Sequence, residues 1–375
     1  MKTMKMMAQI TVEQVRAKAA SHSLFTAGDA AESVLRLGFV QADPIQAPAR
    51  AQDLILRQRV TDYKVGDLER LYPRAEIEED VLHVYGFMPR TTSRLMQPRP
   101  FESHLDHEHP ELADNILSFV QANGPTSHRD LEQHFGGLRT RGYWGNQAKV
   151  TTLMLDLLHY RGNLRVAVRK GNERFYTVAA GPQSPMASED RLRKLVLLLM
   201  QLYAPLSLPG LRDLMSRLSF AAPVLGSRRS IIQRMVEQSE LDQCEVDGMI
   251  YTWPAHTTFT SHDDNEMRLL APFDPIVYDR ARFEHLWGWP YRFEAYTPAS
   301  KRKWGYYALP MLWRNEVIGW ANVRLQDGKL HVTPGFVERR PTERAFSAAY
   351  KREVERLEDF LRPRDKTQER HDHDN

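Results

Sequence analysis

The sequence has little of what secreted, membrane-bound and cysteine-ligated metal proteins depend on. Its 375 residues include one cysteine, Cys244, which excludes an intramolecular disulfide and a cysteine zinc cluster. We interpret Cys244 as a small buried hydrophobic residue in a protein of the reducing cytoplasm. The most apolar run, Leu195 to Leu202, is too short to span a bilayer, and Met1 to Ile10 lacks the apolar core of a signal peptide. We therefore expect a cytoplasmic protein with no membrane partner.

Several catalytic signatures are also absent from the sequence. It contains no nucleophile elbow, no glycine loop that cradles phosphates and no metalloprotease helix. Its 51 Lys and Arg against 48 Asp and Glu give a net charge of +3, which neither requires nor excludes nucleic acid. The length and the hydrophobic content of 42% predict a soluble protein of roughly two to four units.

What the sequence does contain is one order of elements repeated three times: three helices and then a β-hairpin, the order of a winged helix-turn-helix. The repeats are predicted at residues 8–100, 108–182 and 187–256. The predicted helices cover 11–20, 27–37 and 46–58, then 111–121, 129–135 and 147–160, then 189–203, 208–218 and 227–239. The predicted hairpins cover 76–89, 164–178 and 241–253.

Residues 266–362 have a different pattern, rich in aromatic residues and in short β-like runs. Strands are predicted over 292–296, 306–313, 316–324 and 329–333, with a helix over 342–361. They predict a small antiparallel β-barrel-like domain with a C-terminal helix, followed by a disordered tail at 363–375. The predicted fold class is thus mainly α with β wings (α+β).

One short segment, Leu37 to Asp43, combines a helix end, a turn and two polar residues. Side chains alternate faces in an extended segment, so Gln41 and Asp43 are expected to point the same way. A carboxylate beside an amide can hold and polarise a water molecule. The alternative is that Asp43 and Pro44 cap a helix that begins near Gln46.

Tandem winged helices favour duplex DNA as the partner, although such units also mediate protein contacts. Cations on or beside the predicted third helices and wings support DNA, whereas scattered surface arginines would only be solvated. The candidate DNA-binding residues in these units are Arg50, Arg57, Arg139, Arg141, Arg169, Lys170, Arg228 and Arg229.

Two basic segments also carry aromatic residues. Arg139 and Arg141 precede Tyr143 and Trp144, which can contact DNA or anchor the loop in the core. In the run 301–307, Lys301 and Arg302 can contact phosphates, or the run can be a basic turn before a buried strand.

The histidines are weaker candidates for a site. His104, His107 and His109 lie close together, but no distant ligand set accompanies them. A solvated connection between helices is therefore expected there, and no metal site. His371 and His373 are expected to be exposed in the tail.

Four segments together resemble the winged-helix DNA glycosylases of the AlkZ/YcaQ type. They are 37–43 (LGFVQAD), 48–54 (PARAQDL), 272–280 (PFDPIVYDR) and 301–310 (KRKWGYYALP). The resemblance implies three winged helices with a small β-barrel-like domain. It also implies that Gln41 and Asp43 are the catalytic pair, in the Gln-x-Asp form of the motif with Ala42 between them.

The resemblance further implies DNA repair by hydrolysis of an N-glycosidic bond in duplex DNA. The expected substrates are N7-alkylpurine or interstrand-crosslinked nucleotides, and the product is an abasic site. No lysine neighbours the pair, so we expect a monofunctional enzyme without a cofactor. It should bind damaged DNA largely independently of sequence, as a nucleoid-associated monomer. The alternatives are a non-catalytic DNA-binding protein or transcription regulator, and a metal-dependent hydrolase using the histidines.

Overall fold

The structure is a computed structural model that describes residues 10–72, 75–142, 145–181, 186–223, 228–259 and 265–364. Tyr143, Trp144, His371, His373 and the predicted tail beyond Arg364 lie outside the described residues, as do the side chains of Arg228 and Arg229.

Helices and small antiparallel sheets alternate along the chain. The helices are α1 Val12–Ser23, α2 Ala30–Leu37, α3 Ala51–Leu56, α4 Asp67–Leu71, α5 Arg90–Met96, α6 His104–Glu108, α7 Leu112–Asn123, α8 His128–Phe135, α9 Val150–Arg161, α10 Ser188–Leu202, α11 Leu208–Ala221, α12 Arg228–Glu237, α13 Pro275–Tyr278, α14 Arg280–Trp287 and α15 Arg344–Leu361. The strands are β1 Val40–Gln41, β2 Ile77–Val81, β3 Tyr85–Pro89, β4 Thr126–Ser127, β5 Arg139–Arg141, β6 Gln147–Lys149, β7 Leu164–Lys170, β8 Glu173–Val178, β9 Leu206–Ser207, β10 Leu241–Val246, β11 Met249–Pro254, β12 Met267–Leu269, β13 Leu309–Trp313, β14 Glu316–Gln326 and β15 Lys329–Phe336.

One topology occurs three times. A helix leads into a two-residue strand, one or more helices follow, and a hairpin closes the unit by pairing its second strand with the short strand. The three sheets have the orders β1-β3-β2, β4-β8-β7 and β10-β11-β9. The predicted hairpins are all present. In this topology the first unit begins at α2, and α1 packs instead on α13 and α14.

Several sequence predictions were wrong in detail. The helix predicted over 46–58 is only Ala51–Leu56, because Pro44 and Pro48 disfavour helical backbone in the residues before them. Residues 292–296 form no strand, and α14 lies where only β-like runs were expected. The strands β5 and β6 pair within a segment predicted to be a loop and a helix start.

The C-terminal strands form one antiparallel sheet in the linear order β12-β13-β14-β15, and α15 packs against β12. This sheet shares the main apolar core with the three repeated units. A second core cluster joins α1 to the tryptophan-rich segment around Trp287 and Trp289. The C-terminal sheet is therefore packed against the first unit, and this contact brings distant segments to the site described next.

Candidate functional site

The two polar residues of the Gln-x-Asp segment lie where the first unit leaves its short strand. Val40 is buried and Ala42 packs against the main core, so Gln41 and Asp43 lie on the opposite face of the segment. Val40 pairs with Phe87 and Gln41 with Gly86, and the Ala42 amide donates to the Tyr85 carbonyl at 3.0 Å. The backbone of β3 thus holds the pair in place.

The first unit differs from the other two at this point. The short strands β4 and β9 run directly into helices, and their last residues, Ser127 and Ser207, cap those helices. In the first unit, residues 42–50 separate β1 from α3. The position of the capping serines is taken by Gln41, and Asp43 lies in the inserted segment. The site therefore occupies the strand-to-helix junction that all three units share, and in the first unit this junction carries an inserted segment.

Asp43 does not cap a helix, because α3 begins eight residues later and Arg50 is its N-cap. The Asp43 carboxylate instead accepts a hydrogen bond from the Ile45 amide at 2.9 Å. Burial raises the pKa of Asp43 above its ordinary value, and the Ile45 hydrogen bond opposes this effect. The result is a fixed, half-buried carboxylate whose ionised form is incompletely solvated.

Gln41 opens into a cleft of about 420 Å³ between the first unit, helix α11 and the segment 272–281. The cleft is lined by Gln41, Val84, Pro209, Gly210, Asp213, Arg217, Phe273, Tyr278, Asp279, Arg280 and Ala281. The Oε1 atom of Gln41 is buried and has no hydrogen-bond partner among the described residues. A buried polar atom of this kind is suited to a bound water or ligand.

Comparison with known proteins identifies the family to which this chain belongs. The model of a family described as DNA glycosylase AlkZ-like matches residues 34–360. The chain belongs to this AlkZ-like DNA glycosylase family. It is therefore a DNA N-glycosylase, and DNA is its partner.

The fold is similar to that of the Streptomyces sahachiroi DNA glycosylase AlkZ. The TM-score is 0.60 at 13% identity, over 94% of this chain and 97% of the Streptomyces chain. At this identity the likeness concerns the fold. It supports the mixed helical and antiparallel architecture found here.

Gly86 is the residue that allows β1 to approach β3. A Cβ atom there would lie 2.3 Å from the Val40 carbonyl oxygen and 2.5 Å from the Phe39 ring. Real Cβ atoms do not tolerate such distances, so β1 would have to shift together with Gln41.

We expect Gly86→Ala to lower the rate of base release by about 10- to 100-fold, because small displacements of catalytic groups are costly. Single-turnover kinetics with excess protein measure this rate. Gly181→Ala is the control, since a Cβ atom at Gly181 has no neighbour within 4 Å. An unchanged rate in Gly86→Ala would show that the β1–β3 contact does not position the pair.

Three of the predicted DNA-binding arginines are engaged within the protein. The side chain of Arg57 is 4% exposed and pairs with Glu353 at 3.0 Å. Arg169 binds the buried Glu79 carboxylate with two hydrogen bonds of 2.6 and 2.7 Å. Ion pairs thus occupy both guanidinium groups, so the structure gives no support to the prediction that Arg57 and Arg169 contact DNA.

Arg50 also bonds to other residues of the protein. It donates to Glu69 at 3.0 Å and to Asn172, in the turn between β7 and β8, at 2.9 Å. Together with the Arg169–Glu79 pair, this bond fastens the hairpin of the second unit to the first unit. The hairpin thus supports β2 and β3, the strands behind β1.

The remaining predicted cations whose side chains the structure describes are more accessible. Arg139 and Arg141 are exposed on β5, and Lys170 is exposed with its amine 4.6 Å from the centre of the Phe175 ring. Lys301 is exposed, whereas the half-buried Arg302 donates to the Thr297 carbonyl at 2.8 Å. Arg228 and Arg229 begin α12, but their side chains are not described.

Sequence reasoning missed one residue that lines the cleft, Arg217, and one that packs against its lining, Tyr307. Arg217 lines the cleft from α11 and pairs with Asp213 at 2.7 Å, with both side chains about half exposed. Tyr307 belongs to the basic and aromatic run, but it was not singled out from that run. The run was a usable signal for Tyr307, whereas no pattern in the sequence distinguished Arg217 from other helical arginines.

The described residues contain no group of three or more His, Cys, Asp or Glu side chains arranged to hold a metal ion. His104 and His107 lie on the short helix α6, and His109 follows it. No helix in the described ranges is long and apolar enough to cross a membrane.

Proposed function

We propose that this glycosylase hydrolyses the N-glycosidic bond of N7-alkylated purines in duplex DNA, with Asp43 as the general base and Gln41 as the residue that orients water. The observation that carries the proposal is a half-buried carboxylate two residues from a buried amide oxygen, that of Gln41, which lines the cleft and has no partner among the described residues. These two groups are what hydrolysis of a cationic nucleoside requires.

The chemistry follows from the charge of the damaged base. When the bond between C1′ and the base nitrogen breaks, its electron pair goes to the base and neutralises the positive charge, so no general acid is needed. The sugar becomes an oxocarbenium-like cation, which the Asp43 carboxylate stabilises. A water oxygen then bonds to C1′, and the proton that this water loses passes to Asp43.

The chemistry ends at the abasic site. A glycosylase that also cleaves the strand usually needs an amine to form a Schiff base with the sugar. The described lining of the cleft contains no lysine. This supports a monofunctional enzyme.

The cleft and the three repeated units suggest how DNA binds. We interpret the repeats as winged-helix units that bind one duplex, with the exposed Arg139, Arg141, Lys170 and Lys301 contacting phosphates. Arg217 is placed to contact a phosphate beside the lesion by exchanging its exposed partner Asp213. The cleft reaches the surface at this ion pair, so it suits bulky alkyl groups and interstrand crosslinks.

The proposal is tested by incubating the protein with duplexes that contain N7-methylguanine or a nitrogen-mustard crosslink, followed by alkali. Abasic sites are revealed by strand cleavage that appears after the alkali step and is absent before it. An undamaged duplex is the control. Binding without base release from any lesion would instead support a non-catalytic DNA-binding protein.

The rate of base release should depend on pH through Asp43. The carboxylate must be ionised to act as a base, so the rate is expected to fall as the pH drops through its pKa. Because burial raises that pKa, the fall should be centred above the ordinary value of 3.8. Single-turnover rates across the acid range measure the midpoint. A rate that stays constant down to pH 3.8 would contradict the assignment of Asp43 as the base.

A further inference from the structure

One strongly exposed aromatic side chain lies beside the cleft. Tyr296 is 81% exposed, although large aromatic rings are usually at least partly buried. Its ring centre lies 6.0 Å from that of Phe293, and the ring centre of Phe293 lies 4.9 Å from that of Phe273. Phe273 lines the cleft into which Gln41 opens. Two successive ring contacts therefore join the exposed tyrosine to the wall of the cleft.

The loop that carries this tyrosine, residues 292–306, is held in place by hydrogen bonds between its two halves. The buried Glu294 carboxylate accepts hydrogen bonds from the three successive amides of residues 303–305, at distances of 2.7 to 3.2 Å. The Arg302 guanidinium donates to the Thr297 carbonyl at 2.8 Å. The exposed ring thus projects from a loop that is already ordered, which lowers the entropic cost of a contact with a partner.

The second half of the same loop is basic. Lys301 and Lys303 are exposed, and the guanidinium carbon of Arg302 lies 5.0 Å from the centre of the Tyr306 ring, a side chain that is itself 44% exposed. The loop has one carboxylate, that of Glu294, and it is buried. Exposed aromatic rings beside cations are the combination with which proteins stack on bases and hold the adjoining phosphates. The charge of the loop therefore suits a strand of DNA.

We propose that Tyr296 contacts DNA directly, by stacking on a base adjacent to the damaged nucleotide. A damaged base that leaves the helix deprives its neighbours of a stacking partner, and every base offers a flat face to an aromatic ring. Lys301 and Lys303 contact the adjoining phosphates. The inference rests on the cleft as the place of the damaged base, which belongs to the proposed function, but not on the chemical roles of Gln41 and Asp43.

The first test is a binding titration with a duplex that contains a tetrahydrofuran abasic-site analogue, which cannot be hydrolysed. Tyr296→Ala should weaken binding about 5- to 100-fold, as expected for the loss of one stacked base. Tyr296→Phe keeps the ring and should bind like the wild type. The dependence of affinity on salt should be unchanged in Tyr296→Ala, because no charge is lost. Leu35→Ala, at an exposed residue outside the lining of the cleft, is the control and should bind normally.

The second test detects the stacking itself. The base analogue 2-aminopurine, whose fluorescence falls when it stacks, is placed next to the tetrahydrofuran site, on either side in separate duplexes. With saturating protein, the wild type should quench the fluorescence in one of these duplexes, and Tyr296→Ala should not. Thermal unfolding of both proteins should be alike, because the substituted side chain is exposed.

The outcomes separate this inference from the proposed function. Equal affinity and equal quenching in the wild type and Tyr296→Ala would overturn the inference. A weaker Tyr296→Ala that still quenches, or whose salt dependence differs, would also overturn it, because the ring would then support the cations of the loop without stacking on a base. A wild type that binds and quenches but releases no base from any lesion would overturn the proposed function and leave this inference standing.

Discussion

Replacing Asp43 by asparagine is expected to lower the rate of base release by about 10²- to 10⁴-fold while binding to damaged duplex is retained. Asparagine has nearly the same shape, and its side-chain oxygen can still accept the Ile45 amide hydrogen. The substitution removes the negative charge that we propose stabilises the sugar cation, and with it the group that we propose takes the proton from water. The loss should therefore appear in the chemical step.

Single-turnover kinetics and a binding titration with an N7-methylguanine duplex measure the two effects separately. Asp190→Asn, which neutralises an exposed carboxylate on α10, is the control and should leave both unchanged. If Asp43→Asn releases the base at the wild-type rate, Asp43 is not the base. If it instead loses DNA binding with no change in the chemical step, Asp43 contributes to the interface.

The second large effect concerns stability. Arg59 and Asp274 form a fully buried ion pair with bonds of 2.8 and 3.1 Å, and both side chains are 0% exposed. Arg59 also donates to the carbonyls of Ser23 at 2.9 Å and Ile55 at 2.7 Å. The pair joins the first unit to the segment 272–281, which forms one wall of the cleft. We expect Asp274→Asn to lower the free energy of unfolding by about 3–5 kcal/mol, because it leaves the Arg59 charge buried without a counter-ion.

Urea denaturation measures this loss. The matched control is Glu284→Gln, which breaks the exposed pair with Arg292 and should cost less than about 1 kcal/mol. The double variant Arg59→Met with Asp274→Leu should be more stable than Asp274→Asn alone, because no buried charge remains. If Asp274→Asn lowers the free energy of unfolding by less than about 1 kcal/mol, the Arg59–Asp274 pair does not hold the first unit to the segment 272–281.

Local patterns predicted much of this protein. The end of α2 at Leu37 and the three hairpins depend on residues close in sequence, and both predictions were confirmed. The period of an extended strand likewise predicted that Gln41 and Asp43 share a face, and the burial of Val40 and Ala42 agrees. The four family-like segments predicted the glycosylase family, which the comparison confirmed.

Other features depend on partners that lie far away in the chain. The sequence shows that Arg57 and Arg169 are cations, but it does not show that they form ion pairs with Glu353 and Glu79 in the folded protein. In the folded state ion pairs engage both guanidinium groups, whereas Arg139 and Arg141, which also belong to a basic cluster in the sequence, are exposed. Local charge therefore could not separate exposed arginines from ion-paired ones.

The sequence by itself determined the repeated elements, the family and the two polar residues proposed as the catalytic pair, because each depends on short-range spacing and backbone preference. The tertiary structure alone decided that Asp43 is half-buried rather than a helix cap. It also decided that α11 and the segment 272–281 form the cleft into which Gln41 opens. These features arise when distant segments pack together and exclude water, and it is this loss of water that raises the pKa of Asp43.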